Sequence, residues 1–119
     1  MTEKVGIGVI AYNSPDEAKA CVESIVLHTT PPYDLVVWDN SQDWRTGELL
    51  HKREALTYIR SPYNVGCCCS RNAMATRFIA AGLSHLVFLD QDVAVLAPGW
   101  VDDMLAIFQK YPDTGCVSY

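Results

Sequence analysis

Residues 4–28 read KVGIGVIAYNSPDEAKACVESIVLH, and this stretch decides the fold. Its first nine residues form an apolar run rich in β-branched side chains, without the polar alternation of a half-exposed strand. Such a run marks a strand buried on both faces. After Asn13 the signals change: Ser14 can cap a helix, Pro15 suits its first turn, and Glu17 stands three residues after the cap. Ala18, Cys21, Val22, Ile25 and Val26 then recur at helical spacing, so the helix runs to about His28, where TTPP stops it. The stretch is one strand joined to one helix.

The same unit recurs along the chain. DLVVW (34–38) is a second buried strand, followed by the polar turn DNSQD and a moderately helical stretch from about Gly47 to Leu56. LTYIR (56–60) is a short third strand and SPYNVG a loop, with a helix from about Cys67 to Ala81 and Gly82 as its stop. HLVFL (85–89) is a fourth strand ending in Asp90-Gln91-Asp92. Pro98 or Gly99 opens a helix whose apolar side is Met104, Leu105, Ile107 and Phe108, and GCVSY (115–119) begins a fifth strand. Strands alternating with helices predict an α/β fold: a mainly parallel sheet covered on both faces, in one domain over residues 1–119.

Bulk properties narrow the function. Fourteen acids against nine bases give a net charge of −5 with no basic run, so there is no electrostatic footprint for nucleic acid. No apolar run approaches the ~20 residues of a membrane helix, and MTEKVGIGVIAYN lacks the separate regions of a signal peptide. A cytoplasmic protein is the expectation. Five cysteines, an odd number without zinc-ligand spacing, read as reduced thiols.

Ligands of parallel sheets gather at the carboxyl ends of the strands. Polar residues cluster there: Asn13 after the first strand, Asp39 after the second, Asn64 and Arg71 after the third, Asp90 and Asp92 after the fourth. In an extended backbone residues i and i+2 share a side, so Asp90 and Asp92 can face one hard cation, magnesium or manganese, or else cap a turn and stand in solvent. Asp39 can accept hydrogen bonds from a nucleobase or ribose, or close an ordinary Asx turn. Arg71, one turn into its helix, can meet a base or phosphate, or form a surface salt bridge.

These residues carry a resemblance. VIAYN, VVWDNS, NVGCCCSRNAM and FLDQDV followed by PGWVDDML stand in the order and approximate spacing of the family 2 glycosyltransferases. The chain resembles their N-terminal, nucleotide-sugar-binding portion, a Rossmann-like GT-A three-layer sandwich, here cut short after the fifth strand. The resemblance implies that Ala11, Tyr12 and Asn13 border the nucleotide, Asp39 reads the base, Arg71 supports the nucleotide and Asp90 approaches the ribose or metal. Asp92, with Asp90, holds a divalent cation, Mn2+ or Mg2+, on the diphosphate. It further implies a UDP-, GDP- or dTDP-sugar donor, inverting transfer, and an acceptor that is a glycan, lipid carrier or protein. The family's acceptor site and carboxylate base fall beyond Tyr119, so no catalytic base is assigned; Asp102 and Asp103 are expected to be solvated. A non-catalytic nucleotide-sugar-binding module is the other reading, and an exposed sheet edge would allow copies of the chain to pair.

Competing α/β classes lack their marks. A receiver domain needs an acidic pair after the first strand, and a dinucleotide-binding domain needs G-x-G-x-x-G leading into the first helix, whereas Gly6 and Gly8 lie inside the strand. A sugar nucleotidyltransferase would carry a glycine-rich basic loop. His28, His51 and His85 are expected at the surface, Trp38 and Trp100 in packing, and Trp44 near the donor site. Cys67, Cys68 and Cys69, about 100° apart on a helix, cannot converge on one metal. They are expected to pack compactly and bring the helix close to the sheet.

Overall fold

The computed structural model describes residues 4–118. Four strands, β1 (Val5–Ala11), β2 (Tyr33–Asp39), β3 (Thr57–Arg60) and β4 (Leu86–Asp90), alternate with four helices, α1 (Pro15–His28), α2 (Arg45–Leu50), α3 (Gly66–Ala80) and α4 (Trp100–Lys110). All strand pairs are parallel, in the order β3-β2-β1-β4. The chain walks outward from β1 to β3 and then returns to the other side of β1. That reversal places the topological switch point between β1 and β4, at whose carboxyl ends open parallel sheets receive ligands.

Strand alternation sorts the core into two layers. Val5, Ile7, Val9 and Ala11 of β1 join Leu35 and Val37 against Ala18, Cys21, Val22 and Ile25 of α1, with Leu50 and Val101 added from α2 and α4. Val36, on the opposite face, packs with Met74 and Phe78 of α3 and with Leu83. Gly6 and Gly8 point into this second layer. A Cβ on Gly6 would stand 2.6 Å from the Phe78 ring and one on Gly8 2.9 Å from Phe88, so the strand's glycines let α3 lie close against it.

The helix ends follow local chemistry. Leu83 N–H donates to Phe78 O (3.1 Å) and Gly82 N–H to Ile79 O (2.9 Å), with Gly82 at φ +82° and Leu83 packed in the same cluster as Phe78. This is a complete Schellman ending, and it explains why the helix stops at the predicted glycine. At α1 the expected serine cap is absent: Ser14 holds the cap position, but its hydroxyl makes no capping bond. Pro15, which has no N–H to satisfy, occupies the first turn instead.

Two expectations are corrected. Residues 115–118 form no strand, and Tyr119 lies outside the described residues, so the described sheet has four strands rather than five. A strand is held by its ladder, and this segment has no paired neighbour. The helix expected over 47–56 spans only Arg45–Leu50, because Arg53 N–H turns back onto Leu50 O at 3.1 Å.

Candidate functional site at the carboxyl ends of the strands

Hydrogen bonds from both neighbouring strand ends meet at the dipeptide Tyr12-Asn13. Asn13 sits in the left-handed region (φ 51°), which its short polar side chain tolerates. From the β2 side, Asn13 N–H donates to Ser41 Oγ (2.8 Å), and Gln42 N–H donates to Asn13 Oδ1 (2.8 Å). From the β4 side, Tyr12 N–H donates to Gln91 Oε1 (3.0 Å) and Gln91 Nε2 donates to Tyr12 O (2.7 Å). The loop is thus gripped on both flanks, with the Tyr12 side chain exposed. Ala11, expected to border a ligand, is fully buried, and its carbonyl accepts Asn40 N–H at 2.9 Å.

Asp39 is 0 % exposed and both its oxygens are engaged. Oδ1 accepts Ser41 N–H at 2.9 Å, the Asx turn that the D-N-S sequence allowed. Oδ2 accepts the Tyr58 hydroxyl and lies 3.8 Å from Arg60 Nη1. Burial, then the hydrogen bond to Asp39 and its charge, push the Tyr58 phenol well above the ordinary tyrosine range. Arg60 also donates to Asp43 O (2.6 Å) and lies over the ring of Trp44, 5.6 Å from its centroid. Trp44 meets Tyr58 edge-on, so its expected place near the donor edge is the flank of the Asp39 network. Asp43 receives the backbone N–H and side chain of Arg45, which together hold its carboxyl below the usual range.

The structure brings Arg71 and Asp90 together, Nη2 to Oδ1 at 3.5 Å, both largely exposed. It does not give Asp90 and Asp92 the shared face of an extended strand. β4 ends at Asp90, Gln91 and Asp92 lie in a turn, and Val93 N–H closes it onto Asp90 O at 3.1 Å. A backbone that turns loses the two-residue side-chain period, which corrects that part of the expectation. Beneath the turn Cys21 of α1 is buried, its Sγ 3.7 Å from Asp90 O. Burial, with smaller contributions from the charges of Asp92 and Asp90, raises its thiol to about 11.

No three His, Cys, Asp or Glu side chains among the described residues form a group able to hold a metal ion. Two exposed carboxylates still suit a hard cation that takes the rest of its oxygens from phosphate and water. Asp102 and Asp103 are exposed in the first turn of α4, as expected.

Cys67, Cys68 and Cys69 are all exposed, which overturns their reading as packing residues. What draws α3 to the sheet is Ser70: its hydroxyl accepts from Asn40 Nδ2 (2.8 Å) and donates to Gly66 O (2.6 Å), fully buried. At pH 8 a disulfide reagent should therefore titrate Cys67, Cys68, Cys69 and Cys116 rapidly, and Cys21 only on unfolding. Five fast thiols would contradict the burial of Cys21. The histidines are less uniform than expected: His51 is exposed, while His28 and His85 are half-buried. Trp38 and Trp100 are half-buried, and each indole N–H is bonded, to Asn40 Oδ1 and Thr29 Oγ1.

Sequence reasoning missed Asn40, Ser41, Tyr58, Arg60, Ser70 and Gln91. Arg60 is the β3 partner of Asp39 and Tyr58 that of Val37, so the signal lay in strand register, which a single sequence does not display. Gln91 looked like a spacer between two aspartates.

Comparisons with known proteins agree with the fold. Among solved structures, TarS from S. aureus superposes with a TM-score of 0.69 at 20 % identity, covering 90 % of this chain and 20 % of that one. Its 1–349 form gives a TM-score of 0.69 at 18 % identity, covering 98 % and 38 %. The chain therefore spans between a fifth and two-fifths of the length of these structures, and at such identity the likeness concerns the fold. Among curated proteins none matches significantly. The family model described as Glycosyl transferase family 2 matches residues 7–118.

Proposed function

This chain belongs to glycosyl transferase family 2 and has the GT-A type of α/β fold, and from that premise we propose that the carboxyl edge of its sheet binds the nucleotide of a nucleoside-diphosphate sugar, for transfer of the sugar to an acceptor hydroxyl. The observation that carries the reading is the clustering at the carboxyl edge of the sheet of the gripped Tyr12-Asn13 loop, the Arg71–Asp90 pair and the buried Asp39 network.

In this reading Tyr12 and Asn13 form one wall of the donor site. Arg71 supplies positive charge on a face otherwise rich in carboxylates, where a diphosphate needs it. Asp39, held by Ser41, Tyr58 and Arg60, anchors the base end. Asp90 and Asp92 would hold a divalent cation, Mn2+ or Mg2+, which when bound offsets the charge of the departing nucleoside diphosphate. Inverting transfer to a glycan, lipid carrier or protein needs a base for the acceptor hydroxyl, a role that none of the site residues named here takes. A cytoplasmic setting accords with five unpaired thiols among the described residues, none of whose helices is long and apolar enough to cross a membrane.

The test is a thermal-shift panel of UDP, GDP, dTDP and their sugars, with and without manganese. One nucleotide at a hundred times its Kd should stabilise the chain by about 2.7 kcal/mol in the presence of the metal. Asp92→Ala should remove the manganese-dependent part. If no nucleotide shifts the transition, the donor reading is wrong; metal-dependent binding with neither transfer nor hydrolysis would point to a binding module.

A further inference from the structure

Backbone pairing between β1 and β4 ends at Ile10 opposite Asp90. Continued pairing would commit the backbone beyond Asp90 to the strand and prevent the turn that Val93 closes on Asp90 O. The Gln91 side chain resolves the conflict. Its carboxamide presents an acceptor oxygen and N–H donors, the same two kinds of group as a peptide unit. It gives both to the main chain of Tyr12, at 3.0 and 2.7 Å, from 79 residues away. The ladder is thus prolonged by a side chain while the main chain leaves it.

We infer that Gln91 is a positioning residue for the donor site: its paired hydrogen bonds to the Tyr12 backbone fix the distance between the Tyr12-Asn13 wall and the Asp90–Asp92 turn. The inference rests on the donor reading above for its consequence, and on the two hydrogen bonds for its geometry. Gln91 itself touches neither nucleotide nor metal in this account. Its middle place between the two aspartates couples the carboxylates to β1, so that wall and turn move as one body. Asn13 is already tied to Ser41 and Gln42 on its other flank, so loss of the Gln91 bonds releases the wall on the β4 side alone.

Two variants separate this role from general stability. Gln91→Met keeps the length of the side chain and removes both bonds; Gln91→Asn keeps the amide but is one methylene too short to span the pair. Both should weaken manganese-dependent binding of whichever of UDP, GDP and dTDP the parent chain holds most tightly by about tenfold, the low end of what is lost when groups that orient metal ligands are removed. Hydrogen exchange of the Tyr12 amide should accelerate at least about tenfold in both, while the Ile7 and Val9 amides keep their protection. Gln91→Asn binding that same nucleotide like the parent would overturn the positioning role, and so would tenfold weaker binding with unchanged Tyr12 exchange. Exchange accelerated equally along the whole of β1 would reduce Gln91 to a stabilising residue. If the parent chain binds none of UDP, GDP or dTDP, it is the donor reading that falls. The grip of Gln91 on Tyr12 is then decided by exchange alone, and unchanged Tyr12 exchange in Gln91→Met overturns it.

Discussion

Asp39→Ala is expected to destabilise the fold by about 3 kcal/mol, because it leaves the Tyr58 hydroxyl and the Arg60 guanidinium without the buried carboxylate they share. For a chain of this size that corresponds to a fall in Tm of about 12 °C. The Ser41 N–H that closes the Asx turn also loses its acceptor. Asp39→Asn keeps an oxygen for Ser41 and a polar group toward Tyr58, so it should cost only about 1 kcal/mol. The pair of variants then separates structure from recognition. If Asp39 reads the base, the asparagine variant loses nucleotide affinity out of proportion to its small change in Tm. If the asparagine variant binds as well as the parent, Asp39 serves the scaffold alone. A Tm within 2 °C of the parent for the alanine variant, a bound well below the ~12 °C expected, would show that the buried network contributes little.

The second large effect lies where α3 meets β1. Phe78→Ala should cost about 3–5 kcal/mol in urea unfolding, since a fully buried ring is removed from a packed layer. Gly6→Ala should cost about 1–3 kcal/mol for the opposite reason, its methyl group entering the Phe78 ring. The combined variant is the more telling measurement. A methyl group at position 6 fits the space that the ring vacated, so the double variant should be about 1–2 kcal/mol more stable than the sum of the single changes predicts. Strict additivity would mean that the strand and helix do not share that space.

What the sequence disclosed and what it withheld divide along a physical line. The strand–helix alternation, the parallel sheet and the helix stop at Gly82 were legible because each depends on neighbours in sequence: apolar runs, capping residues and glycine at a left-handed position. The approach of Arg71 to Asp90 was legible as proximity, since both sit at strand or helix ends on one edge. The shared face expected of Asp90 and Asp92 did not form, because the i, i+2 rule holds only while the strand continues, and the strand stops at its first aspartate. The triple cysteine misled for a related reason: three thiols suggest packing, but in the first turn of α3 all three are exposed and the burial falls to Ser70. Tyr58 and Arg60 were unreadable because their meaning comes from lying opposite Val37 and Asp39. The fifth strand, read from a short β-prone segment, failed for want of a paired partner.

The two grips on the Tyr12-Asn13 loop differ in the length of chain they close. Asn13 and Ser41 are 28 residues apart, Tyr12 and Gln91 79. In an unordered chain the longer closure costs about 0.9 kcal/mol more entropy than the shorter. One flank of the dipeptide is therefore reached early by a growing polypeptide, and the other waits until the fourth strand has been synthesised. The wall is half built by its own neighbourhood in sequence and finished by a distant one, which ties its completion to the arrival of the fourth strand.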